Sequence, residues 1–187
     1  TMKTRSYIYT VFFFIFLSGV ISYSFMSYEK PSDTPKYVGA EKCAGACHKT
    51  EAQGNQLEIW KNSKHSQAYK VLETAEADKI ASEKGYKTPA KETLACLKCH
   101  VTNADASMTL ETFSIKDGVQ CETCHGPGSE YKSMSVMKDK QKAMENGLIL
   151  HTEKAMFCTG CHNENSPTFK SFDYDSFWAK IKHSKPQ

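Results

Sequence analysis

The stretch Cys121-Glu122-Thr123-Cys124-His125-Gly126-Pro127-Gly128 decides how the rest of this 187-residue chain is read. Two cysteines separated by two residues, with a histidine directly after the second, recur at Cys96-Leu97-Lys98-Cys99-His100 and at Cys158-Thr159-Gly160-Cys161-His162. A fourth copy, Cys43-Ala44-Gly45-Ala46-Cys47-His48, carries one extra small residue between the thiols. All eight cysteines fall in these four pairs, which leaves none over for a disulfide framework. The C-x-x-C-H spacing is the attachment signal of c-type haem. Two thiols on one turn reach the two vinyl groups along one edge of a porphyrin, and the adjacent histidine projects to the iron. C-x-x-C pairs also build structural zinc sites. Four coincident Cys-His dipeptides favour haem, with the first site read as a variant whose small residues bulge without blocking the ring.

The expected cofactors are therefore four covalently attached haem c groups, bound through Cys43 and Cys47, Cys96 and Cys99, Cys121 and Cys124, and Cys158 and Cys161. His48, His100, His125 and His162 are the expected proximal iron ligands. Of seven histidines in all, His65, His151 and His183 remain as candidate distal ligands. Three distal histidines leave one iron for methionine, water or an open position. Met134 and Met137 are the weaker distal candidates, since methionine more often fills a core.

Ahead of the first site, Lys3 and Arg5 precede an uncharged run from Tyr7 to Met26. Twenty residues of helix rise about 30 Å, enough to cross a bilayer core. The run is longer than the apolar part of a cleaved signal and ends with bulky Phe25 and Met26. Residues 1–28 are accordingly read as a signal anchor, a single transmembrane helix with the haem domain on the exported side of the cytoplasmic membrane. Residues 29–36, with Pro31 and Pro35, form a short linker, and 37–187 the tetrahaem domain.

Within that domain, Leu57, Trp60, Lys64, Ala68 and Leu72 recur near a 3.6-residue period and predict a helix from 51 to about 72. Further helices are expected over 74–84, 132–146 and 172–183, the last capped by Asp173 or Asp175. Residues 105–119, where Met108, Leu110, Phe113 and Ile115 partly alternate, predict a short hairpin or extended segment. The apolar side chains are too scattered for an ordinary core, which leaves the centre to the cofactors. The expected fold class is mainly α, a multihaem cytochrome c fold with little regular sheet plus the N-terminal helix.

The formal charge of +3 is largely an anchor effect. Outside residues 1–28 the chain has 22 basic and 21 acidic side chains, with no concentrated basic stripe. Nucleic acid is thus not an expected partner. Four haems would add about eight propionate charges and turn the body acidic, a surface that steers cationic redox partners.

With these residues in view, the sequence resembles the cytochrome c554 family of multihaem cytochromes over roughly residues 37–185. The resemblance lies in Tyr37-Val38-Gly39, in Trp60 through Ser63 to His65, in Gly118 through Gly128, and in Cys158 to Pro167 with Lys180-Ile181-Lys182-His183. It implies a mostly helical tetrahaem fold with closely packed rings, in which three haems can be bis-histidine and one five-coordinate. On that resemblance His65 would serve the haem at Cys158/Cys161 and His183 the one at Cys121/Cys124, while the haem of His100 would be open or weakly ligated. The first haem would need a ligand after Gly126-Pro127-Gly128; the histidine expected there is absent, and Met134, Met137 or His151 would replace it.

The expected function is electron transfer between a membrane redox complex and another carrier, either alone or as a subunit of a larger complex. With about 40 exported residues per haem, little chain is left beyond what holds the rings close, and ligands and burial set their potentials. The alternative is a haem enzyme acting on small nitrogen compounds at one open-coordinate iron.

Overall fold

The structure, a computed structural model, describes residues 34–45, 47–150 and 154–183. The expected anchor over 1–28, most of the linker and His151 lie outside the described residues. Ten short helices carry the described chain: α1 Ala40–Ala44, α2 Gln56–Lys61, α3 Ala68–Val71, α4 Ala75–Glu83, α5 Leu94–His100, α6 Cys121–His125, α7 Met134–Met137, α8 Lys140–Glu145, α9 Lys154–Cys158 and α10 Tyr174–Ile181. Among the described residues there is no β-sheet; a single parallel bridge joins Tyr37 to Thr109. The fold is mainly helical, as its sequence predicts, and no described helix is long and apolar enough to cross a membrane.

The continuous helix predicted from 51 to 72 is broken, for a local reason. Asn55 sits in the left-handed region at φ 48, a conformation that asparagine tolerates better than most residues, so α2 starts afresh after it. At its far end the Ser63 hydroxyl donates to the Trp60 carbonyl at 2.7 Å, and the Ser66 hydroxyl donates to the Lys61 carbonyl at 2.8 Å. Serine hydroxyls that take backbone carbonyls compete with helix propagation. The chain therefore turns between α2 and α3, and His65 rides on that turn. The predicted 132–146 helix likewise divides into α7 and α8, because the Asp139 carboxylate accepts from the Lys142 N–H at 3.1 Å and caps a new start.

Residues 105–119 form neither a hairpin nor one continuous extended segment. Ala106–Met108 and Ile115–Asp117 are 3-10 turns, each entered through a side chain, Asp105 or Ser114, that accepts a backbone N–H two residues on. Those local caps give the backbone an alternative to a strand ladder. The helices expected over 74–84 and 172–183 are present. Thr74 caps α4 by accepting from Ala77 N–H at 3.2 Å, and Asp173, not Asp175, caps α10 by accepting from Ser176 N–H at 2.9 Å.

The protein core is small. Six of the twelve buried apolar residues among those described are alanines, which bury little surface each. One cluster gathers Leu72, Ala77, Ala81 and Ala90, with Cys96 and Leu97 packed against it, so α4 helps to seat the first cysteine of the second pair. Leu72 is the one large side chain buried in that cluster. Leu72→Ala should lower unfolding free energy by about 2–4 kcal/mol, measured by denaturant unfolding of the holoprotein; a loss near zero would mean that the cluster does not hold α5.

Candidate functional site

Each attachment motif lies on or beside a helical turn that the rest of the chain pins in place. Cys43 is on α1, Cys96 and Cys99 on α5, Cys121 and Cys124 on α6, and Cys158 ends α9 with Cys161 in the following turn. All eight cysteines are thiols rather than disulfides. The extra residue of the first motif falls just past α1, where Gly45 ends the helix and the His48 N–H donates back to Ala44 O at 3.0 Å.

Thiols of different motifs meet. Cys43 and Cys121 share a hydrogen bond that, with burial, pushes the Cys43 thiol far up. Burial raises Cys161 to about 11, with Cys99 beside it adding to the effect. Burial also raises Cys124 to about 11, and Cys158 adds to it. The first site thus abuts the third, the second abuts the fourth, and the third abuts the fourth. These effects favour the neutral thiol at Cys43, Cys124 and Cys161, whereas the hydrogen bond with Cys43 lowers the pKa of Cys121.

The histidines are oriented by their inner ring nitrogens. His100 Nδ1 pairs with the Ala68 carbonyl at 2.8 Å, His125 Nδ1 with the Ile149 carbonyl at 2.9 Å, and His183 Nδ1 with the Ile181 carbonyl at 3.0 Å. A carbonyl can only accept, so Nδ1 carries the proton, which leaves Nε2 as the nitrogen to ligate a metal. His48 Nδ1 pairs with Gln56 Oε1 at 3.2 Å. His162 is placed by aromatic packing: Phe172 stacks on it at 4.9 Å with planes 10° apart, and Phe177 meets it edge-on at 5.9 Å.

Two histidine pairs face each other. His65 lies 6.1 Å from His162, centroid to centroid, and His183 lies 6.1 Å from His125. Two imidazoles on opposite sides of one metal, each bonded at about 2 Å, have centroids about 6 Å apart. Burial lowers the pKa of His65, with a smaller push from His162, and burial lowers that of His162. Both rings are thereby kept neutral, the form that binds iron. The Tyr174 hydroxyl is enclosed without a partner among the described residues, and Cys158 is near enough to raise its pKa further after desolvation. An orphan buried hydroxyl implies a missing polar group. Among the described residues no cluster of three or more His, Cys, Asp or Glu is gathered as a zinc site would need. Thiol pairs, facing imidazoles and an orphan hydroxyl fit haem c.

The remaining candidates are less assembled. His48 and His100 have no second imidazole beside them among the described residues. Met134 is 62% exposed on α7, and Met137 is half-buried on the same helix. Sequence reasoning missed the groups that do the placing. The Ala68 and Ile149 carbonyls have no sequence signature, because any residue supplies a carbonyl. Glu122 was visible within its motif, but its burial to 1% exposure was not.

The sequence model of a family described as "Cytochrome c554 and c-prime" matches residues 38–126, which take in the first three cysteine pairs. Cytochrome c-554 of Nitrosomonas europaea is 31% identical over 155 residues, covering 73% of this chain. The chain spans 62% of that relative's length. No solved structure matches.

Proposed function

Because the chain belongs to the cytochrome c554 family, we propose that it is a membrane-anchored tetrahaem cytochrome that passes electrons between a membrane redox complex and another carrier. Membership implies a multihaem c-type cytochrome with covalently bound haem c. The number four, the anchor and the partners rest on this chain's own residues. The observation that carries the reading is the two histidine pairs at 6.1 Å, standing over cysteine motifs that abut one another.

When bound, haem c supplies a one-electron iron couple. Cys43/Cys47, Cys96/Cys99, Cys121/Cys124 and Cys158/Cys161 would hold the four groups, and His48, His100, His125 and His162 would ligate them. His65 and His183 would complete two sites as second ligands. Their rings are fixed by burial or by a backbone carbonyl, so they need not move when an electron arrives or leaves. The converging thiols place neighbouring sites within one small body, the condition for transfer along the chain. The apolar run from Tyr7 to Met26 supports attachment to the cytoplasmic membrane, with the haem domain on its exported face. Propionates would give that domain an acidic surface for a cationic soluble partner.

One experiment tests the reading. The full chain, produced with a c-type maturation system, should fractionate with membranes, carry four haems by intact mass and take up four electrons in a reductive titration. A mass corresponding to three haems, or one redox-silent iron, would sink the tetrahaem relay. A second reading has small nitrogen oxides bind at the iron of His100, beside which no second imidazole stands among the described residues. Nitric oxide binding to one ferrous haem, followed by turnover with a physiological donor, would support it, and a fully low-spin protein would rule it out.

A further inference from the structure

The third attachment motif contains a buried carboxylate whose partners lie in the first. Glu122 Oε1 accepts from the N–H of Val38 at 2.8 Å and of Gly128 at 2.7 Å. Its Oε2 accepts from Gly39 N–H at 2.8 Å and from Val38 N–H at 3.0 Å. Two residues earlier, Gln120 Oε1 accepts from Ala40 N–H at 2.9 Å, and its amide donates to Ser114 O at 2.8 Å. Val38, Gly39 and Ala40 are the consecutive donors at the entry to α1, which has no side-chain cap of its own. Such donors need partners when buried. Here α6 and the residue before it, Gln120, provide all of them across 80 to 84 residues of sequence.

The consequence is geometric. Cys43 lies in the first turns of α1, Cys121 and Cys124 flank Glu122 on α6, and Cys43 meets Cys121 side by side. Gly128 closes the join: a Cβ there would stand 3.1 Å from Glu122 Oε1, 3.4 Å from Val38 Cγ2 and 3.8 Å from Cys43 Sγ. We propose that Glu122 is the positioning residue that locks the first attachment site onto the third and thereby sets the magnetic and electronic contact between the two haems. The proposal rests on the reading that both sites carry haem.

The carboxylate does two separable things. Its two oxygens gather three N–H groups, which an amide cannot do, because its NH2 would face donors. Its negative charge, buried in the turn that leads to His125, favours the oxidised state of the third iron.

Wild-type holoprotein, Glu122→Gln and Gly128→Ala are counted for haem by intact mass, then compared by electron paramagnetic resonance and potentiometric titration. Four haems with a spin-coupled pair are expected in the wild type. Glu122→Gln should weaken that coupling and shift one haem's reduction equilibrium about tenfold toward the reduced state, a rise of about 59 mV for one electron. Gly128→Ala keeps the charge, so it should weaken the coupling with less than about a twofold shift in that equilibrium. A wild type lacking haem at the first motif overturns the tetrahaem reading, and this proposal with it. A four-haem wild type without coupling, or four-haem variants with wild-type coupling, overturns the positioning role alone. If Glu122→Gln yields no holoprotein, Gly128→Ala decides: reduced coupling supports the lock, and unchanged coupling refutes it.

Discussion

Alanine in place of His65 should turn one low-spin haem high-spin and raise its midpoint potential by on the order of 100 mV, a fraction of the roughly 0.8 V over which axial ligands set haem potentials. The expectation follows from the 6.1 Å spacing between His65 and His162 and from burial that keeps both rings neutral. Losing a neutral nitrogen donor withdraws more stabilisation from the ferric than from the ferrous state, so the potential rises. The same change at His183 should act on the haem of His125, whose ring it faces at 6.1 Å. The measurement is the high-spin absorption band and the potentiometric titration of each holoprotein. A His65→Ala spectrum that stays fully low-spin, at an unchanged potential, would show that His65 is not a ligand.

Gly118→Ala carries the other large effect, about 3 kcal/mol of lost stability. Gly118 has φ +73, and a Cβ there would lie 2.5 Å from the His65 carbonyl, 3.2 Å from the Ser66 carbonyl and 3.3 Å from the Ala68 nitrogen. All three are backbone atoms, so no side chain can swing aside. The displaced strip is the one that presents His65, and its carbonyl also accepts from Val119 N–H at 3.0 Å. Thermal unfolding of the holoprotein should show the loss, and a high-spin fraction should accompany it. Gly85→Ala is the control: it has φ +85 with nothing within 4 Å of the added carbon, so it should cost only the backbone strain, about 1 kcal/mol. Equal losses at the two positions would mean that the contact with the His65 turn carries no weight.

These expectations divide according to how much of the site was legible in the chain. The cysteine pairs and their following histidines could be read because covalent attachment demands a fixed local spacing, which one helical turn satisfies. The cap of α10 was legible for the same reason, down to a choice between Asp173 and Asp175: Asp173 acts on a donor three residues away. The long helix over 51–72 was misread because periodicity reports which residues want one face, not whether hydroxyls such as Ser63 and Ser66 will take the carbonyls that a helix needs. The hairpin or extended segment over 105–119 was misread similarly, since Asp105 and Ser114 hold their own turns.

By itself, the sequence determined the chemistry: eight thiols in four pairs, four attached histidines and three more in reserve. Those are properties of neighbouring residues, and neighbours along the chain are neighbours in space. Only the tertiary structure decided which distant groups meet. It put His65 over His162, His183 over His125, and Cys43 against Cys121. It also aimed His100 with the Ala68 carbonyl and tied α1 to α6 through Glu122. The physical reason is that the contacts at His100 and Glu122 run through backbone carbonyls and N–H groups, which every residue carries alike, while the ring and thiol pairs join side chains far apart in sequence. Their pairing is settled by satisfying buried donors and acceptors across the fold, and no local pattern of side chains records it.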